Sequence, residues 1–285
     1  MASRRFVQVD VFGDAPLRGN PVAVVFDGDG LDAETMRRLA NWTNLSETVF
    51  LLPPTVDDAD YRVRIFTPTT ELPFAGHPTL GACHAWLEAA DGDARPERVV
   101  QQCGAGLVEV RSTSAGLAFA SPPLTRSGPV EESTLEQIVA ALGIARDDVV
   151  DANWVANGPP WVAVLLGSAD QVLDLQPGFV DLDVGVVGFH EPGAPAAIEV
   201  RAFFPKDGVL VEDPVTGSLN ASLAEWLVGS GRLTPPYVAR QGTALGRGGR
   251  VHVTRDAQHA IWVAGTTVTC VQGLLTLPPS APNVR

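Results

Sequence analysis

The sequence has little basic charge and almost no lysine. Its 285 residues carry 20 lysines and arginines against 33 aspartates and glutamates, so the net charge is −13. Binding to nucleic acid needs a basic face, and no run of adjacent basic residues here is longer than a pair, so a nucleic-acid partner is disfavoured. The single lysine, Lys206, is followed by Asp207 and Gly208, which is typical of a solvated turn. A lysine-bound pyridoxal phosphate is therefore not expected.

Cysteines are few, and long apolar runs are missing. Cys83, Cys103 and Cys270 lie too far apart in the sequence for metal-ligand or redox spacing. The histidines show no such spacing either, so we expect no metal and no cofactor. Without an apolar signal core or a run that could cross a bilayer, the sequence predicts a reduced, cytoplasmic protein with no membrane partner.

Short strands around a few helices predict an α+β fold. Strands are expected over residues 6–12, 21–26, 48–52, 61–66, 99–110, 117–120, 149–156, 161–166, 198–204, 238–241, 250–254 and 260–263. Helices are expected over residues 32–44, 78–88, 133–142 and 218–228. Asp32 is the predicted N-cap of the first helix, and a capping box between Ser133 and Glu136 is predicted to open the third.

The organisation of the chain predicts two halves. Ser, Pro, Thr and Gly accumulate over residues 121–129, as at a domain junction. The halves are placed at 1–120 and 121–271, with the segment 272–285 returning to the first. An internal repeat supports this division: Phe66 leads through a loop to Gly76 and a helix, and Phe203-Phe204-Pro205 leads to Gly217 and another helix. Two such copies, almost half the chain apart, predict a duplicated fold with pseudo-two-fold symmetry.

Both repeated loops end at the N-terminus of a helix. Free backbone N–H groups and the positive end of the helix dipole attract carboxylates and phosphates. If the two halves face each other, a small anion would be held between the two helix ends. The alternative is an ordinary helix start, in which Ser or Asp caps the helix and no ligand is involved.

Four side chains near these loops could carry chemistry. Glu47 directly precedes the strand 48–52 and could act as a general base and acid in a closed cleft, or it could be a solvated strand end. His77 could bind a carboxylate or an enolic oxygen, or simply cap or pack. Asp213 could pair with an amine or a hydroxyl, or form a turn before Pro214. Ser218 could donate its hydroxyl and N–H to a substrate, or cap its helix.

Short motifs in a fixed order resemble one known family. The motifs are Arg18-Gly19-Asn20-Pro21-Val22-Ala23-Val24-Val25, Leu45-Ser46-Glu47-Thr48, Phe66-Thr67-Pro68, Gly76-His77-Pro78-Thr79-Leu80, Glu212-Asp213-Pro214-Val215-Thr216-Gly217-Ser218, Gln241-Gly242, Gly246-Arg247 and Gly249-Arg250-Val251. Together they resemble the PhzF family, the phenazine-biosynthesis-like isomerases, in order from about residue 6 to residue 272.

The resemblance implies a diaminopimelate-epimerase-like fold. Such a fold has two pseudo-symmetric α+β domains, each a curved sheet around a central helix, with the site between them. The family's named enzyme isomerises trans-2,3-dihydro-3-hydroxyanthranilate without cofactor or metal, and the family is usually homodimeric. Its base, which moves a proton between two carbons, matches Glu47. Its substrate-binding residues match Ser46, Gly76, His77, Asp213, Gly217 and Ser218.

The same fold also carries racemases that use two thiols. The resemblance places their cysteines directly before the two loop glycines, where this chain has Ala75 and Thr216. Cys83 falls on the apolar face of its helix and is expected in the core. A two-thiol racemase is therefore not expected. The predicted function is a cofactor-independent isomerase of a small carboxylate, and the alternative is a non-catalytic protein of the same fold that binds a small carboxylate or a partner.

Overall fold

The computed structural model describes residues 2–90 and 96–277. The fold is α+β, as predicted, and the chain divides into two compact units. Unit 1 contains the residues up to Phe119 and those from Gly265 onward, and unit 2 is Ala120–Ala264. The last described strand pairs along its whole length with the first strand, so the return to unit 1 begins at Gly265, ahead of the residue 272 inferred from the sequence.

Within residues 2–90, 96–119 and 265–277, unit 1 has nine strands and two helices, and the last strand comes from the C-terminal part of the chain. In chain order they are β1 (Ala2–Val11), β2 (Asn20–Val25), α1 (Ala33–Thr43), β3 (Thr48–Leu52), β4 (Tyr61–Phe66), β5 (Glu71–Leu72), α2 (Gly76–Ala89), β6 (Arg98–Cys103), β7 (Gly106–Thr113) and β8 (Gly116–Ala120). The strand that returns is Thr267–Leu277, which becomes β18 after the strands of unit 2 are counted.

Unit 2 repeats this composition with one additional helix at its start. In chain order its elements are β9 (Arg126–Pro129), α3 (Glu132–Leu142), β10 (Val149–Ala156), β11 (Val162–Leu166), α4 (Ala169–Asp174), β12 (Val184–Phe189), β13 (Ile198–Lys206), β14 (Val209–Asp213), α5 (Gly217–Gly229), β15 (Tyr237–Gln241), β16 (Gly249–Arg255) and β17 (Ile261–Gly265). Single 3₁₀ turns cover Arg146–Asp148 and Thr243–Leu245.

The strands of the two units pair in the same order. In unit 1, β1 lies antiparallel between β18 and β2, β2 runs parallel to β3, and β4 pairs antiparallel with β3 and β5 and parallel with β6. In unit 2, β10 lies between β9 and β11, β11 runs parallel to β12, and β13 pairs antiparallel with β12 and β14 and parallel with β15. The duplication inferred from the sequence is therefore present in the topology.

A central helix fills each sheet. Residues Gly76–Ala85 of α2 are all buried, and α2 contacts β1, β2, β3, β6 and β18. In α5, the stretch Leu219–Ala224 is likewise buried. A helix that is buried on every side needs apolar or small residues all round, which explains the many Gly, Ala and Leu residues in both. The predicted arrangement of a sheet around a central helix is confirmed within each unit.

The duplication extends to individual ion pairs. Arg64 on β4 forms a bidentate ion pair with Glu71 on β5, with N–O distances of 2.7 and 2.6 Å. Arg201 on β13 forms the same pair with Glu212 on β14, at 3.1 and 2.7 Å. Both glutamates lie five residues before the glycine that starts the central helix. The ion pair and the start of the helix are therefore separated by the same number of residues in the two units.

Some local predictions were wrong. The Ser133–Glu136 capping box is absent, because α3 begins at Glu132 after Glu131, which makes no side-chain cap. The strand expected over 99–110 is a hairpin, since Cys103 pairs with Gly106, whose φ of 110° turns the chain back. The strands β5, β9, β12, β14 and β18 and the short helix α4 were not predicted. No helix within residues 2–90 and 96–277 has the length and apolar character needed to cross a membrane.

Candidate functional site

Glu47 is positioned by the junction between α1 and β3. The helix ends in Asn44, whose left-handed backbone (φ 52°) reverses the chain. The Thr43 hydroxyl donates to the carbonyl of Ala40 at 3.0 Å, so the Thr48 hydroxyl is the donor in the 2.9 Å contact between the two threonines. This bond ties the first residue of β3 to the end of α1, and Glu47 directly precedes it.

His77 is the second residue of the central helix of unit 1. Gly81, one turn further on, allows α2 to approach β2, because a Cβ there would lie 2.3 Å from Cγ1 of Val22. His77 makes a hydrogen bond to the backbone of Pro21, at the start of β2. Burial lowers the pKa of His77, and this hydrogen bond opposes the effect only in part. Proline has no N–H, so its carbonyl accepts and the imidazole donates. The close packing of α2 on β2 thereby fixes one edge of the imidazole ring.

Glu47 and His77 lie close together in a buried part of unit 1. The His77 Nε2 and Glu47 Oε2 atoms are 3.5 Å apart, and the side chains are 5% and 15% exposed, respectively. Within the described part of the chain, Nε2 is buried and makes no hydrogen bond, so the bond to Pro21 is made by Nδ1–H. Burial lowers the pKa of His77 to about 3. The ring is therefore neutral at pH 7 and presents the lone pair of Nε2 toward the glutamate.

Asp10 shapes the loop that leads to Pro21, and sequence reasoning did not identify it. Its Oδ2 accepts the backbone N–H groups of Arg18 and Gly19 at 2.9 and 2.8 Å. Gly19 is required at this position, because a Cβ would lie 2.1 Å from the carbonyl oxygen of Val11. The Arg18-Gly19-Asn20-Pro21 motif contains the two N–H groups that Asp10 binds, but Asp10 itself lies eight residues upstream of Arg18 and outside the motif.

The N-termini of α2 and α5 are buried and lack a side-chain cap. Their N-cap residues are Ala75 and Thr216, and neither side chain accepts a hydrogen bond from its helix. By contrast, α1 and α4 are capped by Asp32 and Ser168. The helix α3 also lacks a side-chain cap, but it starts at exposed residues, where water can bind its N–H groups. Uncapped N–H groups in the first turn of a helix are the groups that donate to bound anions in other proteins.

In unit 2, the start of α5 gathers several polar side chains. Trp161 Nε1 donates to Ser218 Oγ at 3.1 Å, and Asn157 Nδ2 donates to the Ser218 carbonyl at 3.0 Å. Because the Ser218 hydroxyl accepts from the indole, its own proton can be donated to another acceptor. Ser218 is not the helix cap, since the N-cap residue is Thr216. Asp213, which ends β14, accepts the Thr216 hydroxyl on Oδ2 at 2.5 Å.

Asn157 and Trp161 were also missed by sequence reasoning. Both are buried, and they belong to the segment that joins β10 to β11. No donor within residues 2–90 and 96–277 reaches the buried Oδ1 of Asn157, so this carboxamide leaves one acceptor at the start of α5. Asn157 and Trp161 reach the start of α5 through hydrogen bonds to Ser218. Ser218 is distant in sequence, so only the fold brings the three residues together.

The predicted residues fall into two groups, one in each unit. Ser46 and Glu47 precede β3, while Gly76 and His77 open α2; Asp213, Gly217 and Ser218 lie along the segment from β14 to α5. Their catalytic and binding roles remain predictions. Cys83 is fully buried on α2, as expected for a core residue. Within the part of the chain that the structure describes, no three His, Cys, Asp or Glu side chains are grouped to hold a metal ion.

Known proteins resemble this chain along nearly its whole length. The family model described as phenazine biosynthesis-like protein, PhzC-PhzF, matches residues 9–273. Antisense-enhancing sequence 1 of Schizosaccharomyces pombe is 37% identical, covering 96% of this chain and 99% of its own. Trans-2,3-dihydro-3-hydroxyanthranilate isomerase of Pseudomonas aeruginosa is 35% identical, covering 94% of each chain. The crystal structure of a PhzF-family protein of Bacillus anthracis has a TM-score of 0.82 at 22% identity, covering 97% of this chain and 100% of its own, and shows the shared fold.

Proposed function

Because the chain belongs to the PhzC-PhzF family of phenazine biosynthesis-like proteins and is an isomerase, we propose that it moves a proton on a small carboxylate substrate. Glu47 is the acid and base in this proposal, and no cofactor takes part. The observation that carries the proposal is the buried contact between Glu47 and a neutral His77. The proton leaves one carbon of the substrate, is held by Glu47, and returns to another carbon.

The neutral histidine suits a carboxylate that must both accept and donate a proton. As a carboxylate, Glu47 faces a lone pair on His77 Nε2 and gains no hydrogen bond from it. Once Glu47 has taken the substrate proton, its O–H can donate to Nε2. A hydrogen bond made to the neutral acid and not to the anion raises the basicity of a carboxylate. His77 would thus favour the step that removes the proton from carbon.

The residues of unit 2 are proposed to bind the substrate. The uncapped start of α5, with the N–H groups of Gly217 and Ser218 and the Ser218 hydroxyl, suits the carboxylate of the substrate. Asp213 suits an amine or a hydroxyl, either of which would donate a hydrogen bond to the carboxylate. In unit 1, Ser46 and the N–H of Gly76 are the corresponding contacts next to Glu47. These assignments follow the motif positions and the uncapped N–H groups at each helix start.

The proposal is tested by hydrogen exchange. The protein is incubated in heavy water with trans-2,3-dihydro-3-hydroxyanthranilate, the substrate of a relative, and with a panel of small amino acids, hydroxy acids and enolisable keto acids. Deuterium uptake or isomerisation is followed by NMR and mass spectrometry. We expect at least one compound to exchange with the wild-type protein and not with Glu47→Gln. Glu34→Gln, at an exposed site in the first turn of α1, is the matched control and is expected to exchange normally.

The alternative function predicts a different result from the same panel. A non-catalytic protein of this fold would bind a small carboxylate tightly, as seen by calorimetry, without exchange or conversion of any compound. That outcome would overturn the proposed isomerisation.

The cytoplasmic location and the homodimer inferred from the sequence are retained as proposals. Cell fractionation tests the location, and light scattering tests the oligomeric state.

A further inference from the structure

Gln241, the last residue of β15, is completely buried. Its carboxamide uses all of its hydrogen-bonding capacity on one short segment. Oε1 accepts the Thr216 N–H at 3.0 Å and Nδ2 of Asn220 at 2.7 Å. Nε2 donates to the Asp213 carbonyl at 3.1 Å and to Thr216 Oγ1 at 2.9 Å. Two donors and two acceptors are the full complement of a glutamine, so Gln241 makes all of its side-chain hydrogen bonds to residues between Asp213 and Asn220.

These bonds give the hydroxyl of Thr216 a fixed direction. Since Oγ1 accepts from Gln241 Nε2, its own proton is free to point away, and it is donated to Oδ2 of Asp213 at 2.5 Å. The chain of donors therefore runs from Gln241 through Thr216 to Asp213. Oδ2 of Asp213 therefore accepts a hydrogen bond whose donor has a fixed position.

The backbone around Gln241 packs closely against the residues that it bonds. Gly242 has a φ of 85°, and a Cβ on it would lie 2.5 Å from the carbonyl oxygen of Pro214. Gly249, which pairs with Gln241 across the β15–β16 ladder, could not carry a Cβ either, because that atom would lie 2.6 Å from Cγ2 of Val215. The Gln241-Gly242 motif thus packs directly against the loop that carries Asp213 and Thr216.

We propose that Gln241 is a positioning residue that acts through Thr216 to orient the carboxylate of Asp213. The inference rests on the proposed function, in which Asp213 binds the substrate, and it adds two residues to the site that carry no role there. Gln241 and Thr216 touch no substrate themselves. Their effect is to keep Oδ2 of Asp213 occupied and the carboxylate in one orientation before the substrate arrives.

The first test separates the hydroxyl of Thr216 from its shape. Thr216→Val removes the donor to Asp213 and keeps the volume, while Thr216→Ser restores a hydroxyl. We expect kcat/KM to fall about 10- to 100-fold in Thr216→Val, since hydrogen bonds to charged groups have effects of this order, and most of the loss to be recovered in Thr216→Ser. If both variants lose activity equally, packing and not the hydroxyl is responsible. The proposed relay, which is the chain of hydrogen bonds from Gln241 through Thr216 to Asp213, is then refuted.

A double-mutant cycle shows whether the effect passes through Asp213. In an Asp213→Ala background, Thr216→Val is expected to change kcat/KM by less than about threefold, because its acceptor is already gone. A full additional loss in the double variant would overturn the proposal.

Gln241→Met should resemble Thr216→Val in its effect on kcat/KM. The control is Gln101→Met, at an equally buried glutamine that bonds Thr79 and Tyr61 in unit 1. It should lower stability with a smaller effect on kcat/KM.

Crystal structures of the variants keep this inference separate from the proposed function. The relay predicts that the Asp213 side chain rotates or becomes disordered in Thr216→Val and stays in place in Thr216→Ser. That result would support the relay even if no compound in the exchange panel turned over, in which case the proposed function alone would fail. An unmoved Asp213 in Thr216→Val would overturn the relay whatever the activity.

Discussion

The Nε2 atom of His77 lies 3.5 Å from Oε2 of Glu47, and the other nitrogen of the ring is bonded to the carbonyl of Pro21. The pair is buried and holds no fixed proton between its two facing atoms. A proton delivered to Glu47 would therefore complete a hydrogen bond to His77. A proton taken from Glu47 would leave the histidine neutral, because burial keeps its pKa near 3.

Replacing Glu47 by glutamine is the most direct test of this arrangement. Glu47→Gln keeps the shape and hydrogen-bonding capacity but cannot carry the proton, so we expect turnover to fall by about 10²–10⁴-fold. Substrate affinity, measured by calorimetry, should stay within a small factor. Cys83→Ser and Cys103→Ser should leave the proton-transfer step intact in folded protein. Near-normal turnover in Glu47→Gln, together with loss in a cysteine variant, would refute the carboxylate mechanism.

His77 and Asp213 are expected to give a different kinetic pattern from Glu47. His77→Ala and Asp213→Asn should lower kcat and also raise KM, because His77 is proposed to bond the protonated form of Glu47 beside the substrate and Asp213 to bind the substrate itself. Steady-state kinetics with the compound identified by hydrogen exchange would measure both constants. A change in KM alone would mean that these residues bind the substrate and its transition state equally well.

The stability of the protein should fall with acid because of His77. In the unfolded chain a histidine has a pKa of about 6.5, whereas burial lowers the pKa of His77 in the folded chain to about 3. As the pH falls from 6.5 toward 3, the unfolded state binds a proton that the folded state does not, and stability is lost. The loss should reach roughly 2 kcal/mol by pH 5.

Denaturant unfolding at pH 7.5 and pH 5 measures this effect against a variant. His77→Asn retains an N–H that can reach Pro21 but does not titrate in this range. The difference in unfolding free energy between the two pH values should be smaller in the variant by roughly the same 2 kcal/mol. An unchanged pH dependence would show that His77 is accessible to protons in the folded protein.

The sequence was sufficient for the large features because they depend on patterns repeated along the chain. Periodicity located most strands, and the two Gly-led helices revealed the duplication. The contacts that orient the site were not predictable in this way. Asp10 bonds across a loop, Trp161 reaches Ser218 from the segment between β10 and β11, and Gln241 bonds a segment more than twenty residues upstream. Such contacts depend on strand register and on close backbone approach, which one sequence does not specify.

Local errors have equally physical causes. The strand expected over 99–110 was wrong because apolar residues continue through a two-residue turn, and only the positive φ of Gly106 marks the reversal. The Ser133–Glu136 capping box was wrong because the helix begins one residue before Ser133, where the exposed N–H groups need no side-chain cap. The helix α4 was missed although Ser168 and Gln171 form a capping box, since six residues are too few for a clear periodicity.

The two repeated hairpins offer a matched comparison of the same ion pair in two environments. Arg64 and Glu71 are 28% and 41% exposed, whereas Arg201 and Glu212 are 7% and 9% exposed. Glu71→Gln should lower the free energy of unfolding by less than about 1 kcal/mol, because water screens the exposed pair. Glu212→Gln should cost about 3–5 kcal/mol, since it leaves the guanidinium of Arg201 buried without its counterion.

The comparison needs one control, because Arg201 has other partners. Its Nη1 also donates to the carbonyls of Val172 and Leu175 at 3.2 and 2.7 Å, and these bonds hold the end of α4 against β13. Arg201→Met with Glu212→Met removes both charges and is expected to be less destabilising than Glu212→Gln alone, because no unpaired charge remains buried. Urea unfolding of the three variants measures the order. Equal losses in Glu71→Gln and Glu212→Gln would show that burial does not distinguish the two pairs, and that water reaches Arg201 in the folded protein.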